Sequence, residues 1–161
     1  MNNEELKADV IEVGVSGTFK TEHVFATSAG ILGILTLNAG ISEGDFQGAD
    51  GSSLVIKRTS FWKSNYELRD GNSVIATAVP LGKLRRGLIL NMEGEPLGLY
   101  PGGSKLRSWR IKDALDQVLC EILPRGAFKR GAYLRINAQI PLRWLVFGYC
   151  LVTKRWQEES S

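Results

Sequence analysis

Residue types that carry out chemistry are sparse in this chain. His23 is its single histidine, and the two cysteines, Cys120 and Cys150, stand far from it and from each other. Zinc sites are usually marked by closely spaced pairs of ligands, and the sequence has no such pair. We therefore expect His23 to be a surface residue or a hydrogen-bonded residue in a strand or loop, and we assign no catalytic residue, metal ligand or cofactor.

Two aspartates, Asp50 and Asp70, invite comparison with an acid–base pair, but their context indicates turns. Each precedes a glycine, and the segments 46–55 and 66–75 share one pattern: an aromatic residue, Asp-Gly, Ser and two aliphatic residues. Asp-Gly between apolar runs is a strong hairpin signal, because glycine tolerates positive φ. The repeat therefore predicts antiparallel hairpins laid side by side.

Lysine and arginine are the residues whose clustering suggests binding. Three basic clusters alternate with Leu, Trp and Phe, and a patch built from them would attract anionic lipid headgroups. Nucleic-acid backbones would use the same charges, but we do not expect that partner. The opposing interpretation is that outward Lys and Arg only solvate strands and discourage aggregation. The candidate anion-binding or lipid-binding residues are Lys83, Arg85, Arg86, Arg110, Lys112, Arg125, Lys129 and Arg130.

Composition is that of an ordinary soluble chain of 161 residues, with 43% hydrophobic and 23% charged residues, which suits one domain. The net charge of +3 is uneven along the chain: residues 1–82 carry 6 basic against 10 acidic residues, and residues 83–161 carry 14 against 7. We expect the fold to mix the two halves into an even surface.

The N-terminus lacks the basic start and apolar core of a secretory signal, and the two cysteines lie in apolar surroundings. Both features predict a reducing, cytoplasmic location, and the basic clusters add a peripheral position at the membrane as an option.

The chain between residues 10 and 136 reads as a series of short strands. We predict strands at 30–37, 54–58, 65–69 and 74–79, and two looser hairpins that pair 88–90 with 97–100 and 109–113 with 118–122. Further strands are expected near 10–19 and 128–136. Turn signals at such short spacing favour a meandering, mainly β domain.

The last element differs in kind. Residues 141–156 open with proline and close with Lys154 and Arg155, as a helix would, and residues 144–152 carry no charge on any face. A helix that is apolar all round must be enclosed by protein or by lipid. Because a bilayer needs roughly 20 apolar residues, we expect enclosure by protein and no transmembrane span.

Hairpins of the pattern aromatic-x-aliphatic-x-Asp, finished by one hydrophobic helix, resemble the tubby C-terminal, LURP-one-related and phospholipid scramblase superfamily. The resemblance covers roughly residues 30–156. It rests on Phe61-Trp62, Tyr66 to Gly71, Trp109 to Asp113 and the helix 141–156. It implies a closed antiparallel barrel of about twelve strands around a central C-terminal helix, and a domain that binds rather than reacts. The chain is short for twelve full strands, which predicts that some are very short or missing.

Together these observations predict a mainly β fold: a closed antiparallel β-barrel of consecutive hairpins, roughly 10–12 short strands, around a hydrophobic C-terminal helix. Residues 1–9 are expected to be a flexible terminus, 10–156 a single domain and 157–161 a polar tail. The predicted function is a non-catalytic module that recognises anionic phospholipid through basic residues on the barrel exterior. The alternative is a protein–protein interaction or scaffold domain with a protein partner and no lipid ligand.

Overall fold

The computed structural model describes residues 10–60, 65–82, 86–103, 107–126 and 129–160. Within these residues the chain forms twelve strands of four to eight residues, followed by one helix. The strands are β1 (Val10–Ser16), β2 (Thr21–Thr27), β3 (Gly30–Leu37), β4 (Glu43–Gly48), β5 (Ser53–Arg58), β6 (Tyr66–Asp70), β7 (Ser73–Pro80), β8 (Leu88–Met92), β9 (Glu95–Pro101), β10 (Trp109–Lys112), β11 (Val118–Pro124) and β12 (Gly131–Ile136).

Each strand pairs antiparallel with the next, and β1 pairs with β12, so the sheet closes into a barrel. The predicted fold class is therefore confirmed. The Asp-Gly pairs lie in the β4–β5 and β6–β7 turns, and both looser hairpins form as well, as β8–β9 and β10–β11. Of the two alternatives for so short a chain, very short strands are found: β10 has four residues and still completes the ladder.

Alternation along the strands directs one face of each strand into the barrel. In β10, Trp109 and Ile111 are buried while Arg110 and Lys112 are partly exposed, as period-two alternation requires. β2 was not predicted, and β4 was implied only as the first arm of the Asp50-Gly51 hairpin, without bounds. Both strands depart from simple apolar alternation. β2 points His23 inward and β4 points Gly44 inward.

The helix α1 (Leu142–Glu159) runs through the barrel and supplies the centre of the core. Residues 145–152 are all buried and belong to one apolar cluster with the inward side chains of the strands. Enclosure by protein is thus confirmed. The predicted end at residue 156 is wrong: α1 continues to Glu159, because side chains of its last turn bond to the barrel rim.

Candidate anion-binding end of the barrel

An up-and-down barrel places every second connection at the same end, and this sorts the charges of the chain. The end where α1 finishes carries the connections 17–20, 38–42, 59–65, 81–87, 102–108 and 125–130. Among the described residues, these six segments contain no Asp or Glu and six lysines and arginines: Lys20, Arg86, Arg107, Arg125, Lys129 and Arg130. We call this the basic end.

The opposite end, where α1 begins, has the reverse composition. Its connections are 28–29, 49–52, 71–72, 93–94, 113–117 and 137–141. They contain four acidic residues, Asp50, Glu93, Asp113 and Asp116, and no Lys or Arg. We call this the acidic end. The described residues of the connections therefore differ in sign from one end of the barrel to the other.

The last turn of α1 brings Glu159 to the basic end, where its carboxylate forms ion pairs with two of the cations. The Glu159 carboxylate pairs with Arg86 and with Arg107, the latter at 3.5 Å. The Trp156 indole Nε1 donates to the Arg107 carbonyl at 2.9 Å, and Gln157 Nε2 donates to the Ala39 carbonyl at 2.7 Å. Arg86 and Arg107 therefore hold the helix end in place. Because they already have this structural role, they are poor candidates for a ligand site.

A second group of cations lies where the β1–β2 and β11–β12 connections meet. Arg130 Nη1 donates to the Gly17 carbonyl at 2.7 Å, which joins the two connections. Lys20, Lys129 and Arg130 are exposed, and none of the three pairs with a carboxylate among the residues that the structure describes. We call Lys20, Lys129 and Arg130 the basic corner.

Two further predicted site residues, Arg110 and Lys112, are not brought to this corner. Lys83 and Arg85 lie outside the described residues, as do Phe61 and Trp62 of the resemblance. Arg110 pairs with Glu121 at 3.4 Å on the barrel wall, and Lys112 pairs with Asp116 at 3.2 Å at the acidic end. The predicted set thus divides among the two ends and the wall.

Arg125 is near the basic corner but is engaged with the wall. Its Nη2 lies 2.7 Å from Glu12 Oε1, and its guanidinium carbon lies 5.8 Å from the centre of the Tyr133 ring. Its side chain is only 18% exposed. These contacts leave Arg125 less available to a ligand than the three residues of the basic corner.

Comparisons of the chain with protein-family models, with curated proteins and with solved structures find no match. The resemblance to the tubby and scramblase superfamily therefore stays a prediction.

His23 lies inside the barrel in a chain of hydrogen bonds that ties the wall to α1. Its Nδ1 is 2.6 Å from the Tyr149 hydroxyl, and its Nε2 is 2.7 Å from Thr21 Oγ1. Burial, with a smaller contribution from the charge of Arg130, lowers the pKa of His23 from 6.5 to about 4. The ring is neutral at pH 7, and its role is that of a satisfied interior residue, in agreement with the hydrogen-bonded residue expected from the sequence.

We expect the free energy of unfolding to fall as the pH drops from 6.5 towards 4. The unfolded chain, with an ordinary histidine pKa, takes up the proton before the folded protein does, so the contribution of His23 is complete above pH 6.5 and is lost as pH falls through 4. Its size is about 3 kcal/mol. Urea unfolding at several pH values gives the free energy of unfolding as a function of pH. Between pH 6.5 and 4 this free energy should change less steeply with pH for His23→Gln than for the native protein. Equal slopes would contradict this role of His23, since the carboxylates contribute alike to both proteins.

Other reactive groups are engaged or protonated. The Asp50 carboxylate accepts from the Ser52 amide at 2.9 Å and from the Ser52 hydroxyl at 2.6 Å, as a turn residue does. Burial raises the pKa of the Cys150 thiol and of the Cys120 thiol, each to about 12. Among the described residues, no three His, Cys, Asp or Glu side chains are grouped to hold a metal ion, and no helix is long and apolar enough to cross a bilayer.

A groove at the acidic end was not predicted from the sequence. Its volume is about 590 Å³, and it lies between the start of α1, the β2–β3 hairpin and the β4–β5 turn. Its lining is mostly aliphatic and includes Ile31, which is 58% exposed, and Leu145 of α1. The groove is at the opposite end of the barrel from the basic corner.

Proposed function

We propose that this protein is a non-catalytic module that binds anionic membrane surfaces with the basic end of its barrel, peripherally and without spanning the bilayer. The observation that carries the proposal is the one-sided charge of the connections. Among the described residues, they contain six basic residues and no acid at one end, and four acids and no base at the other. A charged surface that meets such a barrel end-on attracts one end and repels the other.

Magnitudes favour a membrane as the anionic partner. Each Lys or Arg near an anionic bilayer contributes about 1 kcal/mol, so the three residues of the basic corner contribute about 3 kcal/mol. The corner is open to a planar surface because its side chains are exposed. The resemblance to the tubby and scramblase superfamily, whose tubby-type members recognise phosphoinositide headgroups, agrees with this partner.

The chemistry of the interior supports a binding role over catalysis. The interior positions among the described residues are filled by the apolar cluster and by His23, whose two ring nitrogens are both hydrogen-bonded. The two thiols stay protonated at pH 7, because burial raises the pKa of each to about 12.

Vesicle sedimentation tests the proposal. We expect the native protein to bind phosphatidylserine–phosphatidylcholine vesicles, and Lys20→Gln, Lys129→Gln and Arg130→Gln together to weaken binding about 100-fold, from three charges at about 1 kcal/mol each. The control triple is Arg69→Gln, Lys112→Gln and Arg135→Gln. It removes the same charge from the wall and the acidic end, and we expect a change of less than about threefold.

Two results would contradict the proposal. The first is that the native protein fails to sediment with anionic vesicles at low salt. The second is that the two triple variants lose equal affinity, which would assign the effect to net charge alone. The variants at the corner avoid Arg86 and Arg107, because those residues also hold the end of α1.

A further inference from the structure

The most exposed large apolar side chain of the described residues lies at the basic end. Phe19, in the β1–β2 connection, is 83% exposed and packs against none of the core. Leu115 is similarly exposed, at 80%, but it lies in the β10–β11 connection at the acidic end. The two residues therefore differ chiefly in the charge of their surroundings.

Phe19 stands within the basic corner. It directly precedes Lys20, and its connection is joined to the β11–β12 connection by the bond from Arg130 to the Gly17 carbonyl, 2.7 Å long. The nearest acid along the chain is Glu22, two residues beyond Lys20 and already within β2. By contrast, Leu115 has Asp113 and Asp116 on either side.

The backbone around Phe19 is held in a tight turn. Gly17 has a φ of +95°, and a Cβ at this position would overlap the Lys20 carbonyl oxygen. A preformed turn presents the ring without the entropy loss of ordering a loose segment on binding. The backbone that carries Phe19 is thus restrained, next to Lys20 and to the contact of Arg130 with Gly17.

We propose that Phe19 is a membrane anchor: its ring enters the boundary between headgroups and acyl chains while the basic corner contacts anionic headgroups. An aromatic ring bordered by Lys and Arg is the composition that interfacial membrane anchors use. This inference rests on the proposed membrane binding and adds an apolar contact to its electrostatic one. A purely electrostatic surface would have no use for an exposed phenyl ring at its centre.

Salt separates the two contributions, since salt screens charge attraction but leaves apolar insertion in place. With phosphatidylserine–phosphatidylcholine vesicles, we expect Phe19→Ser to bind about tenfold more weakly than the native protein at about 50 mM salt and to lose sedimentation at about 300 mM, where the native protein still sediments. Leu115→Ser, the matched control, should behave as the native protein does.

Phe19→Trp should retain binding, and brominated acyl chains should quench its fluorescence more than that of the native protein.

The failures are distinguishable. Equal binding of Phe19→Ser and the native protein at both salt concentrations would overturn the anchor and leave the basic end as the binding surface. Absence of native binding would overturn the proposed function and the anchor with it. Unchanged fluorescence of bound Phe19→Trp with brominated chains would also overturn insertion, and would place residue 19 in the water layer or on a protein partner.

Discussion

Replacing Gly131 with alanine is expected to destabilise the protein by about 3 kcal/mol or more. Gly131 opens β12 with a φ of +112°, a conformation that strains any residue with a Cβ. The added Cβ would also overlap the Val13 carbonyl oxygen of β1. Relief would require β1 and β12 to separate, and these are the strands that close the barrel. Urea unfolding measures the loss, and the Tm should fall by about 6–12 °C.

Gly126→Ala is the matched control for that substitution. Gly126 lies in the same β11–β12 connection with a similar φ of +124°, but no atom lies within 4 Å of the position that its Cβ would take. Backbone strain alone should cost about 1 kcal/mol there. Equal losses for the two variants would show that the overlap with Val13 is relieved without cost, and would contradict the structural explanation.

The hairpins and the helix could be predicted because their signals are local. The Asp-Gly pairs at 50–51 and 70–71 set φ and register within a few residues, so the turns needed no knowledge of the rest of the fold. The uncharged stretch 144–152 likewise required enclosure whatever surrounded it. Its surroundings in the structure are the inward faces of the strands.

β2 and the bounds of β4 could not be predicted, because both strands depend on contacts that only the fold supplies. β4 directs Gly44 and Phe46 inward, and glycine carries no apolar side chain to mark the pattern. A Cβ on Gly44 would lie 2.7 Å from Leu37 Cδ2, so this glycine makes room for a side chain of the neighbouring strand. In β2 the inward His23 looks like a polar interruption until Tyr149, on the distant helix, is seen to bond to it.

The basic end was hidden for a different reason. The sequence clusters cations by proximity along the chain, which groups Arg110 and Lys112 with residues at the end of the barrel. In the barrel these two pair with acids on the wall and at the acidic end. Once a meander is accepted, alternate connections share an end, and Lys20 joins Lys129 and Arg130 although more than a hundred residues separate them. Charge counted by alternate connections, rather than by cluster, would have found the corner.

Removing α1 is expected to have the largest effect of all and to abolish cooperative folding. A barrel of about eight strands has an interior that side chains alone can fill, and this barrel has twelve. The eight buried residues 145–152 occupy the space left over and belong to one apolar cluster with the inward side chains of the strands. A chain that ends after Ile140 would therefore surround a void or collapse, and circular dichroism with urea titration should show no cooperative transition.

The control for this truncation ends after Glu159, which keeps the whole of α1 together with the contacts of Glu159 to Arg86 and Arg107. Its free energy of unfolding should lie within about 1 kcal/mol of that of the full chain. It lacks only Ser160, which bonds to the last turn of α1, and Ser161. Addition of a peptide of residues 141–161 to the shorter chain should restore β-sheet signal, because the apolar helix and the empty barrel each lack what the other supplies. A cooperative, monomeric barrel without the helix would contradict the view that α1 is the core around which the sheet closes.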